Sequence, residues 1–151
     1  MKRLHPNETN SEMTSYIVRF AATFGINDMK RAQRMPNTRR ALAMAEFARD
    51  EGKLNDFRLL AMDAYWKDSN DIEDSAVLRG VATASGLDPE KALFAADDQL
   101  YLKRVDDRRL EYKQVGVGGI PTFVFGKEAI EGCQPYQVLA AAALRAGAKP
   151  R

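Results

Sequence analysis

Apolar residues recur at spacing three and four along most of this chain, the period of one buried helix face. Thr9-x-x-Glu12 predicts a capping box, followed by Met13, Tyr16, Ile17, Phe20, Ala21 and Phe24 on one stripe and Gly25 as the stop. Residues 26–36 are polar and basic, with weak periodicity, and end at Pro36. Asn37 or Thr38 is placed to cap a second helix, with Ala41, Leu42, Ala45, Phe47 and Ala48 on or near its buried face and Gly52 at its end. A third helix is predicted over about residues 56–66, using Phe57, Leu60, Ala61, Ala64 and Tyr65. The acidic stretch 68–74 connects it to a fourth, over about 74–85, with Val77, Leu78, Val81 and Ala82 inward and Gly86 after it. Asp88-Pro89 gives an N-cap followed by proline at the first helical position, opening a short helix through about Ala95. A longer helix follows over about 98–114, with Tyr101, Val105, Arg108, Tyr112 and Val115 along one side.

The pattern changes at Val115. The run Val115-Gly116-Val117-Gly118-Gly119-Ile120-Pro121 carries too much glycine for a helix. Thr122-Phe123-Val124-Phe125 reads as a short strand, Gly126-Lys127 as a turn, and Ala129-Ile130-Glu131 as the returning strand of a hairpin. Pro135 opens a last helix with Tyr136, Leu139, Ala142, Ala143 and Ala146, closed by Gly147. The expectation is therefore about seven helical segments and one hairpin. Two strands alone are marginal in water, so the hairpin needs helices or further strands against it.

Composition narrows the class. The 151 residues hold 45% hydrophobic and 29% charged side chains, a globular balance that excludes a disordered or collagen-like chain. Net charge is +2, which gives no reason to expect a nucleic-acid or membrane partner. One cysteine and one histidine exclude an internal disulfide and a Cys/His structural zinc site. Residues 1–12 are polar and unlike a signal peptide, and the longest apolar run, Val138 to Leu144, is far too short to span a bilayer. A cytoplasmic location is expected.

Several stretches invite a chemical reading and fail it. Gly116-x-Gly118-Gly119 follows a helix and precedes a strand, the reverse of the dinucleotide-binding order. A calcium loop counted from Asp68 puts Ile72 at position five, Glu73 where glycine is required and Arg79 where glutamate is required. Lys30, Arg31, Arg34, Arg39 and Arg40 form a basic cluster, read as a solvated face because no aromatic interleaving accompanies it. Cys133 precedes a helix start, where a thiolate is favoured, but the one imidazole, His5, is remote in sequence. Its expected role is structural. Ile120-Pro121-Thr122 is the most informative tripeptide, since proline where a strand begins cannot donate a ladder hydrogen bond.

Gly116-Val-Gly-Gly-Ile-Pro-Thr-Phe-Val-Phe125 and Ile130-Glu-Gly-Cys-Gln-Pro-Tyr136 resemble the C-terminal part of a DsbA-like thioredoxin domain. The closer resemblance is to the branch of FrnE-type oxidoreductases and 2-hydroxychromene-2-carboxylate isomerases. Pro36-Asn37-Thr38, the stretch Phe57 to Trp66, Asp71-Ile72, Val77-Leu78 and Gly86-Leu-Asp-Pro89 resemble its inserted helical domain, in order. The resemblance implies an α/β thioredoxin-like fold of DsbA type with a helical insertion. In this chain that is predominantly α-helical with a C-terminal β-hairpin. Residues 1–115 would be mainly the helical insertion, and 116–148 the cis-proline loop, hairpin and last helix. It also implies a cis bond at Ile120-Pro121 and substrate contact through Ile120, Pro121 and Thr122, by strand-like addition to backbone groups. Asn37 becomes the candidate contact for an anion or glutathione.

One departure shapes the functional expectation. The branch begins with a strand, a helix bearing Cys-x-x-Cys or a serine, and a second strand. By this resemblance the sequence would start near the end of that second strand, at Arg3-Leu4-His5-Pro6, and Cys133 stands where the branch usually has alanine. Dithiol exchange needs an attacking thiolate and a resolving partner, and one cysteine cannot be both. The expectation is a DsbA-family thiol–disulfide oxidoreductase-like protein, truncated and without dithiol activity of its own, with no resident cofactor or metal. Its partner would be a thiol or peptide substrate. Two alternatives stand beside it. One is a glutathione-dependent isomerase-like enzyme with glutathione as cosubstrate. The other is a non-enzymatic helical binding or dimerisation module, using the exposed sheet edge or the groove beside Trp66.

Overall fold

The computed structural model describes residues 15–30 and 35–149. The expected capping box at Thr9–Glu12, Met13 and the stretch Arg3–Pro6 lie outside the described residues. Two compact units divide the chain, residues 1–106 and 107–151.

Unit one is helical. Residues 15–22 form α1. Then come α2 (Arg39–Asp50), α3 (Leu54–Trp66), α4 (Ser75–Ala84), α5 (Pro89–Asp97) and α6 (Gln99–Gln114), the last crossing into unit two. These elements begin and end where local chemistry dictates. The Asp74 carboxylate accepts from the Ala76 and Val77 N–H groups, and that of Asp88 from Glu90 and Lys91, filling donors that a helix start leaves free. At the start of α2 the N-cap residue Thr38 makes no side-chain cap bond. Asn37 serves instead, its Oδ1 accepting from Arg39 N–H at 3.0 Å. At the end of α4, Gly86 takes φ 75° and Leu87 N–H reaches back to the Ala82 carbonyl. This is a Schellman stop, which favours glycine because only glycine adopts that φ without a Cβ penalty.

In the core of unit one, α2 packs on α3 and α5, and α4 packs on α3 and α5. Phe57, Met44 and Leu78 are its largest fully buried side chains. Alanines 48, 82, 92, 95 and 96 let the helices approach closely. Tyr101 of α6 meets Phe47 edge-on, with ring centroids 5.9 Å apart. Charged side chains clamp the rim. Arg40 forks onto both Asp97 oxygens at 2.9 Å and also donates to the Glu73 carbonyl and Ser75 Oγ. Arg104 donates to Asp50 at 2.6 Å and lies 5.1 Å above the Tyr101 ring.

One expected burial is corrected, and the structure adds two exposures that the pattern did not address. Leu42 is 48% exposed, and Ala43 and Met44 are buried in its place. Seven of the twelve residues of α2 are alanine or arginine, so sequence alone left the buried arc one position uncertain. No residue of α6 is buried, although Tyr101 leans on the core. Tyr136 is 80% exposed at the start of the last helix.

Unit two holds β1 (Thr122–Phe125), β2 (Glu128–Glu131) and α7 (Tyr136–Arg145). The strands pair antiparallel, Thr122 opposite Glu131 through Phe125 opposite Glu128. Gly126 at φ 63° opens the two-residue turn, as a primed hairpin turn with glycine first requires. Arg145 of α7 forks onto the Glu128 carboxylate at 2.7 and 3.2 Å. Among the described residues, the sheet has these two strands and no third.

Candidate functional site

The candidate site is the loop that carries the chain from α6 into β1. Gly116 ends α6 at φ 79°, with Val117 N–H on the Tyr112 carbonyl. Three tethers then fix the loop. Gly118 N–H donates to Glu131 Oε1 at 3.2 Å. The Thr122 hydroxyl donates to the Gly119 carbonyl at 2.6 Å. The Pro121 carbonyl accepts from Gly132 N–H at 2.8 Å. A side chain at Gly118 would put its Cβ 3.3 Å from the Glu131 carboxylate, tighter than ordinary contact, so the loop and carboxylate fit because residue 118 has none.

Between these tethers sits Ile120, 92% exposed. The Ile120–Pro121 peptide bond is cis. Among the described residues, Ile120 N–H and C=O make no hydrogen bond. The ladder shows which other backbone groups are open. Pro121 bonds to Gly132, so in an antiparallel pair residues 121, 123 and 125 face β2 and the polar groups of Thr122 and Val124 face the opposite edge. That edge has no neighbour among the described residues. It carries no charged residue: Thr122, Phe123, Val124 and Phe125 are all neutral. Such an edge is suited to an added strand.

Ile120, Pro121 and Thr122 thus lie together in unit two. Asn37 lies in unit one, where its N–H donates to Glu73 Oε2 at 3.1 Å and its Oδ1 serves the start of α2. Of the basic cluster, Arg39 pairs with Asp106 at 2.7 Å and Arg40 with Asp97. Cys133 is a free, exposed thiol, one residue beyond the Gly132 that bonds Pro121. Glu128, held by Arg145, raises the guanidinium pKa further above its ordinary value through their hydrogen bond and charge attraction. Among the described residues, no group of three His, Cys, Asp or Glu side chains is placed to hold a metal. No helix of the described residues is long and apolar enough to cross a membrane.

Sequence reasoning missed Glu131. Its role depends on a contact thirteen residues away, at Gly118. The available signal was glycine at 118 and 119 facing a strand that ends in an acid.

A family model described as DSBA-like thioredoxin domain matches residues 3–143. The chain belongs to the DsbA-like thioredoxin-domain family. A crystal structure of a probable DsbA oxidoreductase from Streptomyces coelicolor superposes with a TM-score of 0.78 at 22% identity. The match covers 95% of this chain and 64% of that one, so this chain spans less than two thirds of that protein's length. None of the curated proteins matches the sequence. The DsbA-like fold with its large helical part and small C-terminal sheet is therefore established.

Proposed function

We propose that this chain is the substrate-holding part of a DsbA-type thiol–disulfide oxidoreductase, of the FrnE and 2-hydroxychromene-2-carboxylate isomerase branch, without dithiol activity of its own. The observation that carries the reading is Ile120: almost fully exposed, its backbone polar groups unbonded among the described residues, in a loop held from three sides. Such a residue offers one donor and one acceptor to an extended thiol or peptide substrate. The loop positions the substrate and Ile120 bonds it, while Pro121 is turned toward Gly132, where its carbonyl is already bonded and it brings no N–H. Disulfide exchange further requires a thiolate to attack and a second thiol to resolve the mixed disulfide. These 151 residues contain one cysteine, so the exchanging pair must come from elsewhere.

The test is insulin reduction by dithiothreitol. The full 151-residue chain is expected to give no turnover above a Pro121→Ala control. Turnover well above that control would overturn the reading. A second reading rests on the open, uncharged edge of β1: the chain is a binding module that forms a homodimer through that edge. It predicts a concentration-dependent dimer by light scattering, lost on Val124→Lys. If the site instead takes glutathione as cosubstrate, glutathione should raise the melting temperature of the wild type and not of Pro121→Ala.

A further inference from the structure

Glu131 does more than fasten the loop. Its carboxylate accepts one bond, from Gly118 N–H, and has no ion pair among the described residues. The neighbouring acid Glu128 differs, because Arg145 neutralises it. The loop therefore has one uncompensated negative charge at its base. Ile120 is two residues beyond Gly118, at most about 7.6 Å away between Cα atoms. The edge next to it is wholly uncharged.

Resting on the proposed role of Ile120 in holding an extended substrate, we infer that Glu131 makes this surface selective for peptides carrying a basic residue and selective against anionic ones. The occupant is an extended peptide bonded through its backbone to Ile120 and the β1 edge, with lysine or arginine toward Glu131. Backbone pairing supplies contact without regard to sequence, and the carboxylate supplies the preference. The size follows from Coulomb's law. A charge about 8 Å away in water shifts binding roughly twofold either way, so a lysine peptide should exceed a glutamate peptide by roughly fivefold at low salt. Screening should erode most of this near 0.3 M salt, where the Debye length falls to roughly 5–6 Å.

The experiment is an amide-detected NMR titration of the full chain. The probes are three blocked peptides, alike except for lysine, serine or glutamate at one position. The expected result is perturbation of the Ile120, Thr122 and Val124 amides by all three, with affinity in the order lysine, serine, glutamate. Glu131→Gln keeps an acceptor for Gly118 N–H and removes the charge, so the order should collapse to near equality. Glu131→Lys should reverse it. Equal binding of the three peptides to wild type, or a lysine preference undiminished in Glu131→Gln, would overturn the inference while leaving the role of Ile120 intact. Binding of none of them at these amides would overturn that role, and the inference with it.

Discussion

The two units of this molecule differ in where their stability resides. Among the described residues, fifteen of the sixteen buried apolar side chains lie between Ala41 and Ala96, and the sixteenth is Ala142. The helical unit has a core of its own. The C-terminal unit has one buried alanine, a two-stranded sheet and an exposed loop. Four-residue strands cannot exclude enough water to be stable alone. What this teaches is a contrast in construction: packing holds the helices, while the hairpin leaves the outer backbone edge of β1 and apolar side chains exposed among the described residues.

The sharpest way to break that contrast is to remove core from the helical unit. Phe57 is 1% exposed, so Phe57→Ala should cost about 3–5 kcal/mol in chemical denaturation. A loss below 1 kcal/mol would mean the core lies elsewhere. Next is the Arg40 clamp, which joins α2 to Asp97, Glu73 and Ser75. Arg40→Ala should cost about 1.5–3 kcal/mol, and lysine should restore little, because it lacks the planar fork. Asp74→Ala removes the acceptor of two N–H groups at α4 and should cost about 1 kcal/mol by the same measurement. At the small end, Val124→Lys on the exposed hairpin should change stability by less than about 0.5 kcal/mol while blocking any pairing at the β1 edge.

Alkaline pH sharpens the same comparison. Burial raises the phenol pKa of Tyr65, and burial followed by the Asp50 charge raises that of Tyr101. Both phenols belong to the helical unit. A raised folded-state pKa leaves their contribution intact below the ordinary phenol value of about 10 and removes it as pH rises through the folded value. Thermal unfolding of the helices should thus be insensitive to these groups at neutral pH and should weaken above about pH 10. Mutation to phenylalanine at both positions should flatten that decline.

Much of this was legible in the sequence, because the helices are punctuated locally. Asp74, Asp88-Pro89, Gly52, Gly86 and Gly147 mark ends that the backbone then adopts. The hairpin followed from Thr122–Phe125 and the Gly126-Lys127 turn, and the DsbA-like fold from motifs spread along the chain. What stayed hidden is what depends on distance. Alanine tolerates either side of a helix, so the pattern of α2 did not decide between Leu42 and Met44 for the core. Tyr101, Val105, Arg108 and Tyr112 line one side of α6 in the sequence pattern, but that pattern did not say how deep the side lies, and none of the helix is buried. The tethers of the loop join Gly118 to Glu131 and Pro121 to Gly132, pairs that only the hairpin brings together.

The central claim is that Ile120 and the β1 edge form an open surface that an extended ligand covers. Amide hydrogen exchange on the full chain tests it most directly, read with and without saturating lysine-containing peptide. The account predicts that the Ile120, Thr122 and Val124 amides exchange rapidly in the free protein and slow on peptide addition, while Leu78 and Ala82 stay protected throughout. Slow exchange at those three amides in the free protein, or no slowing with peptide bound, would contradict it.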